Sequence, residues 1–127
     1  MDFPEQLRYS AEHEWVAVEG TRARIGITDF AQDALGDVVY VQLPDVGAAV
    51  IADAGIAEVE STKSVSEIYA PVTGTVVEVN EVLNDTPEQV NQDPYGSGWI
   101  FVLELAEPEQ VDALMDAATY RKLVEEG

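Results

Sequence analysis

Lysine is scarce in this chain, with two copies against 25 carboxylates, and one of them, Lys63, stands where chemistry can be done. It lies in Val59-Glu60-Ser61-Thr62-Lys63-Ser64-Val65-Ser66-Glu67. Upstream, Ala54-Gly55-Ile56-Ala57-Glu58-Val59-Glu60 alternates small or apolar with acidic residues. Downstream, Val65-Ser66-Glu67-Ile68-Tyr69-Ala70 resumes the strand pattern until Pro71 ends it. Two strands meeting at Lys63 put its ammonium at a hairpin tip, displayed to an acyl-transferring ligase that attaches a prosthetic group through an amide.

Other reactive residues are few. His13, the single histidine, is flanked by Glu12 and Glu14 and reads as a surface residue. Glu58 and Glu60 alternate along one strand face and are expected at a solvated strand edge rather than as an acid–base pair. The chain has no cysteine, glycine-rich phosphate cradle or metal-ligand spacing. Disulfides, thiolate zinc sites and thiol nucleophiles are therefore excluded, and any sulfur redox chemistry must arrive on an attached group.

The elements that must position Lys63 read as follows. Glu14-Trp15-Val16-Ala17-Val18-Glu19, Gly20 and Arg22-Ala23-Arg24-Ile25-Gly26-Ile27 form a hairpin that sets Trp15, Val16 and Val18 against Ile25 and Ile27. Thr28 then offers an N-cap hydroxyl, Phe30, Ala31, Ala34 and Leu35 recur at helical spacing, and Gly36 closes a short helix near 28–35. Gly36-Asp37-Val38-Val39-Tyr40-Val41 is echoed 38 residues later by Gly74-Thr75-Val76-Val77-Glu78-Val79, with Lys63 between the copies. Neither copy can bury its apolar face alone, so the two are expected to share one core. After the turn-rich Asn91–Trp99 stretch, Ile100–Leu105 reads as a buried strand. From Pro108 the pattern is helical, with Val111, Leu114, Met115 and Ala118 as an apolar stripe continued by Leu123, and a break near Asp116-Ala117 after which Tyr120 and Leu123 begin a fresh face that docks separately.

A length of 127 residues suits one domain, and 46% hydrophobic residues suit a globular one. The net charge of −19 repels nucleic-acid phosphates and anionic headgroups, which removes nucleic acid and membrane surfaces as expected partners. No apolar run approaches the ~18 residues of a membrane span, and the acidic start, Met1-Asp2-Phe3-Pro4-Glu5, is unlike a basic targeting signal. The expected location is the cytoplasm, a pattern shared by a mature mitochondrial chain.

Several segments occur together in one order: Glu12-His13-Glu14-Trp15, Gly26-Ile27-Thr28-Asp29-Phe30-Ala31-Gln32, Leu35-Gly36-Asp37, Val59-Glu60-Ser61-Thr62-Lys63, Ile68-Tyr69-Ala70-Pro71-Val72-Thr73-Gly74, Val79-Asn80-Glu81 and Asn91–Trp99. In them the chain resembles the H-protein family of the glycine cleavage system, over nearly its whole length. Thr62 and Ser64 depart from the Val-Lys-Ala that many members show around the modified lysine. Biotin carriers resemble Met-Lys-Met and 2-oxoacid dehydrogenase lipoyl domains commonly resemble Asp-Lys there, and neither fits.

The resemblance implies a mainly β, barrel-sandwich hybrid fold of the lipoyl and biotinyl carrier (hammerhead) kind. It would comprise a single domain over 1–127 with a C-terminal helical extension over about 108–126. It also implies lipoate amide-linked to Lys63 and a monomeric carrier, without enzyme activity, that takes an aminomethyl group from the pyridoxal-phosphate enzyme glycine decarboxylase to aminomethyltransferase. Dihydrolipoamide dehydrogenase would then reoxidise the arm, and a lipoate ligase or lipoyl transferase would install it. A cleft protecting the cationic cargo needs a carboxylate, for which Glu14 and Glu67 are the candidates, and apolar lining, for which Ile27 and Leu35 are. The alternative from another class is a lipoate relay or acidic docking module with no part in glycine turnover.

Overall fold

The computed structural model describes residues 1–126. The chain opens with the strands β1 (Arg8–Tyr9), β2 (Glu14–Glu19) and β3 (Arg22–Ile27), then the helix α1 (Asp29–Leu35). β4 (Val38–Gln42), β5 (Ala49–Val50), β6 (Gly55–Ser61), β7 (Val65–Tyr69) and β8 (Gly74–Val79) follow. A 3₁₀ turn (Glu81–Asn84), α2 (Gln89–Gln92), β9 (Phe101–Leu105), α3 (Glu109–Asp112) and α4 (Ala117–Glu126) complete it. Among the described residues one sheet has the order β1-β2-β3-β9-β8-β5 and the other β4-β6-β7, and every pairing is antiparallel.

The two sheets close over one apolar core that takes Val16, Ile25 and Leu103 from the larger and Val41, Val59 and Ile68 from the smaller. The sequence repeat is distributed between them, since β4 lies in the small sheet and β8 in the large one. Val38 and Val41 of the first copy and Val76 and Val79 of the second all reach the shared core. Both copies also slip register at the same place, between Val38 and Tyr40 and between Val76 and Glu78. A bulge at that point bends each strand, which lets a short duplicated unit wrap rather than lie flat.

A second apolar cluster sits on the other side of β2 and corrects two sequence expectations. Trp15 does not face Ile25 and Ile27 with Val16. It pairs with Gly26, where an added Cβ would strike the indole, and it packs with Phe3, Leu7, Tyr9, Ala117 and Tyr120. Strand alternation forces this separation, because consecutive side chains leave opposite faces. Val18, at the strand end, is exposed. In α4 the buried face is Ala117, Tyr120 and Val124, while Ala118 and Leu123 face solvent. The helical phase restarts after the break, as Met115 leaves the helix to pair with Tyr9 in a β-bridge. The C-terminal helix is thereby tied into the body by an aromatic stack, with Tyr9 and Tyr120 rings 4.7 Å apart and 6° from parallel.

Candidate functional site

Lys63 is exposed at the turn between β6 and β7. Ser61 builds that turn. Its amide donates to the Ser64 carbonyl at 2.8 Å, and its Oγ accepts from the amides of Lys63 (3.3 Å) and Ser64 (3.1 Å). A serine hydroxyl serving its own turn in this way is a local substitute for ladder hydrogen bonds. The Thr62 amide donates to the Asp37 carbonyl at 3.1 Å, which anchors the tip to the start of β4.

The lysine side chain lies across Gly36. A Cβ there would stand 3.0 Å from Lys63 Cε and 3.6 Å from Nζ, and Gly36 has a φ of +85°, a value that favours glycine. Asn91 holds this junction, with Nδ2 donating to the Gly36 carbonyl (2.8 Å) and Oδ1 accepting the Val38 amide (2.8 Å). Among the described residues the one ion pair is Arg22–Glu104, so the Lys63 ammonium is unpaired.

Beginning at Ser64, the residue after Lys63, a cleft of about 350 Å³ lies between α1 and β7. Phe30, Ala31, Ala34 and Leu35 form the helical wall, and Ser64 to Ile68 form the opposite one. Ile27 and Val59 add apolar lining, and Glu12, His13 and Glu14 complete the boundary. α1 presents that wall because Thr28 caps it, its Oγ accepting the Ala31 amide at 3.2 Å. Ile27, Leu35, Glu14 and Glu67, distant in sequence, therefore meet around one cavity.

Glu14 is 2% exposed. Its Oε1 accepts from Ser10 Oγ at 2.6 Å and its Oε2 from the Tyr69 amide at 3.3 Å. Tyr69 is on the free edge of β7, so this carboxyl group ties the edge of the small sheet to the first residue of β2. Burial pushes its pKa up to about 7, against the pull of those two hydrogen bonds, and nearby Glu12 and Asp53 add to the rise. Glu67 also borders the cleft, yet its carboxyl oxygen rests over Gly55, which is no part of the wall. Of the two carboxylates expected from sequence, Glu14 is the buried one and Glu67 is exposed.

Two further expectations change. His13 is half-buried, not a plain surface residue, with Nδ1 2.8 Å from the Tyr120 hydroxyl and its ring 4.9 Å from Phe30. Glu58 and Glu60 do face outward, but β6 is the middle strand of its sheet, not an edge. Ser61, Asn91 and Ser10 were not legible as site residues. Ser61 alone carried a signal, a hydroxyl two residues before the displayed lysine.

Two β-sheets closed over a shared core, with one lysine raised on a hairpin at the mouth of a cleft, define a barrel-sandwich carrier of the lipoyl and biotinyl kind. Residues 7–127 match the family described as "Glycine cleavage H-protein". The chain is 55% identical over 127 residues, the full length of both, to the glycine cleavage system H protein of Geobacillus sp. (strain WCH70). It is 55% identical over 126 residues to that of Bacillus subtilis (strain 168), covering 99% of each. The crystal structure of a glycine cleavage system H protein from Mycobacterium marinum superposes with a TM-score of 0.88 at 41% identity, covering 96% of this chain and 98% of that one. The chain belongs to the glycine cleavage H-protein family.

Proposed function

We propose that Lys63 bears a lipoyl group in amide linkage and that the chain carries it between the enzymes of the glycine cleavage system. One observation carries this reading: an unpaired primary amine on a protruding turn opens onto a cleft that combines an apolar helical wall with a buried carboxyl group. Lipoate, when bound, would supply a disulfide able to hold the carbon–nitrogen fragment of glycine on one sulfur with the other as a free thiol, and release of the fragment would leave a dithiol.

The chain's own residues present, shelter and receive. Ser61 holds the turn so that Nζ projects to a lipoate ligase or lipoyl transferase. Ala31, Ala34 and Leu35 offer an apolar wall to a hydrocarbon chain, and the enclosure keeps water from a reactive cargo. Glu14, with a pKa near 7, loses its proton readily beside a cationic amine, and the pair then gains a charge-assisted hydrogen bond.

Bond making and breaking fall to the partners: glycine decarboxylase, aminomethyltransferase and dihydrolipoamide dehydrogenase. The carrier contributes tethering, which holds the cargo at high effective concentration for each in turn. Its net charge of −19 steers it toward basic docking faces. Intact-mass spectrometry of protein from a lipoate-replete host is expected to show one lipoyl amide on Lys63, absent in Lys63→Arg, with turnover of glycine in a reconstituted system lost in parallel. A lipoylated chain that supports no turnover would instead identify a lipoate relay.

A further inference from the structure

We propose that His13 is a hydrogen-bond donor for the sulfur end of the arm, kept in its donating tautomer by a relay from Thr28 through Tyr120. The proposal rests on Lys63 bearing that arm. In a regular strand His13 and Glu14 would face opposite ways; a φ of +72° at His13 breaks the alternation, and both line the cleft.

The proton count fixes the tautomer. Thr28 is fully buried, and its Oγ already accepts the Ala31 amide. The acceptor paired with its own proton is the Tyr120 oxygen, 2.7 Å away. A tyrosine hydroxyl that accepts from Thr28 donates its own hydrogen bond to His13 Nδ1, at 2.8 Å. Burial lowers the imidazole pKa below 6.5, so the neutral ring carries its single proton on Nε2. Among the described residues Nε2 has no partner, while no buried side-chain nitrogen or oxygen lacks one. Nε2–H therefore reaches open space, and His13 borders the cleft.

Reach selects what meets it. α1 runs from Thr28 and Phe30, beside His13, to Gly36, beside Lys63, and the six steps from Phe30 to Gly36 rise ~9 Å. A lysine Nζ extends ~6 Å from its Cα, which leaves the amide of an acylated Lys63 short of His13, whereas an eight-carbon acyl chain adds ~8 Å and brings its sulfurs level with it. Glu14 then faces the amine of the cargo and His13 the free sulfur. An N–H donated to that sulfur favours thiolate over thiol. Glu12 and Glu14 on the same wall and Glu67 on β7 act the opposite way, and α1 lines the cleft with no charged residue.

The chain has one histidine and no cysteine, so ¹⁵N spectra of the imidazole report His13 alone and thiolate absorbance reports the arm alone. Intact mass first establishes that Lys63 is lipoylated. In that protein the His13 ring is expected as the Nε2–H tautomer, with Nε2 and its proton moving between the disulfide and dithiol arms. Tyr120→Phe is expected to give a tautomer mixture. His13→Asn tolerates positive φ but lacks the donor at the ε position, and is expected to lower the thiolate fraction at fixed pH about tenfold, with part of the loss restored in His13→Gln. An Nδ1–H tautomer, or ring resonances indifferent to the state of the arm, overturns the proposal on wild-type protein alone. Absence of lipoate on Lys63 overturns the carrier reading instead, and the mass measurement reports it separately.

Discussion

The lysine end of the cleft and its acidic end are built by opposite rules. At the lysine end a three-residue turn is exposed, held by one serine and a glycine with no side chain to obstruct the arm. At the other, Glu14 and Tyr120 are almost wholly buried, and His13, Thr28 and Ser10 are joined to them by hydrogen bonds of 2.6–2.8 Å. A group that must leave needs few contacts to break, whereas a receptor that must discriminate needs its polar atoms fixed in advance. The contrast teaches where stability is invested: around the receptor, not around the tether.

Breaking the buried end should have the largest effect. Tyr120→Ala empties the centre of the second cluster and severs the relay, and is expected to cost about 3–5 kcal/mol in denaturant unfolding. Lys63→Arg, at the exposed end, is expected to stay within about 0.5 kcal/mol of wild type in the same experiment while losing all lipoylation.

Glu14→Gln sharpens the contrast through pH. With a folded pKa of about 7 against an ordinary 4.5, the folded state keeps a proton that the unfolded state has released between those values. Stability is therefore greatest below about pH 4.5 and declines as pH rises to about 7, by an amount on the order of 3 kcal/mol. Glu14→Gln should abolish that decline, and denaturant melts at acidic and alkaline pH measure it. A variant that keeps the wild-type slope would show that another group produces it.

Smaller effects belong to the tether. Gly36→Ala meets a φ of +85° and crowds the flexible Lys63 Cε, so a loss of about 1–2 kcal/mol is expected, with displaced Lys63 side-chain resonances. Ser61→Ala removes the oxygen that collects two turn amides, for a loss of about 1 kcal/mol, because those amides can turn to water. A loss as large as that of Tyr120→Ala at either position would erase the difference between the two ends.

Local signals made much of this molecule legible. Strand alternation on both sides of Lys63 put it in a turn, Thr28 and Gly36 bounded α1, and the repeated Gly-x-Val-Val-x-Val marked two strands of one core, since each pattern acts within a few residues. The failures were of another kind. Trp15 was assigned to the wrong face because an indole beside a valine run looks like common core until Tyr9 and Tyr120 supply a second one. His13 read as surface because nothing nearby in sequence announces Tyr120, 107 residues away, as its partner. Glu58 and Glu60 were set on an edge because sheet order is a property of the assembled strands.

The amino-acid sequence by itself determined the β character, the short helix, the displayed lysine and, through its ordered motifs, the family. These depend on propensity, alternation and turn chemistry, which are fixed by neighbours along the chain. Only the tertiary structure decided that Glu14 is buried while Glu67 lies outward over Gly55, and that His13 is bound to the C-terminal helix. Burial and long-range hydrogen bonds come into being when distant segments pack, and the electrostatics of the cleft follow from that packing.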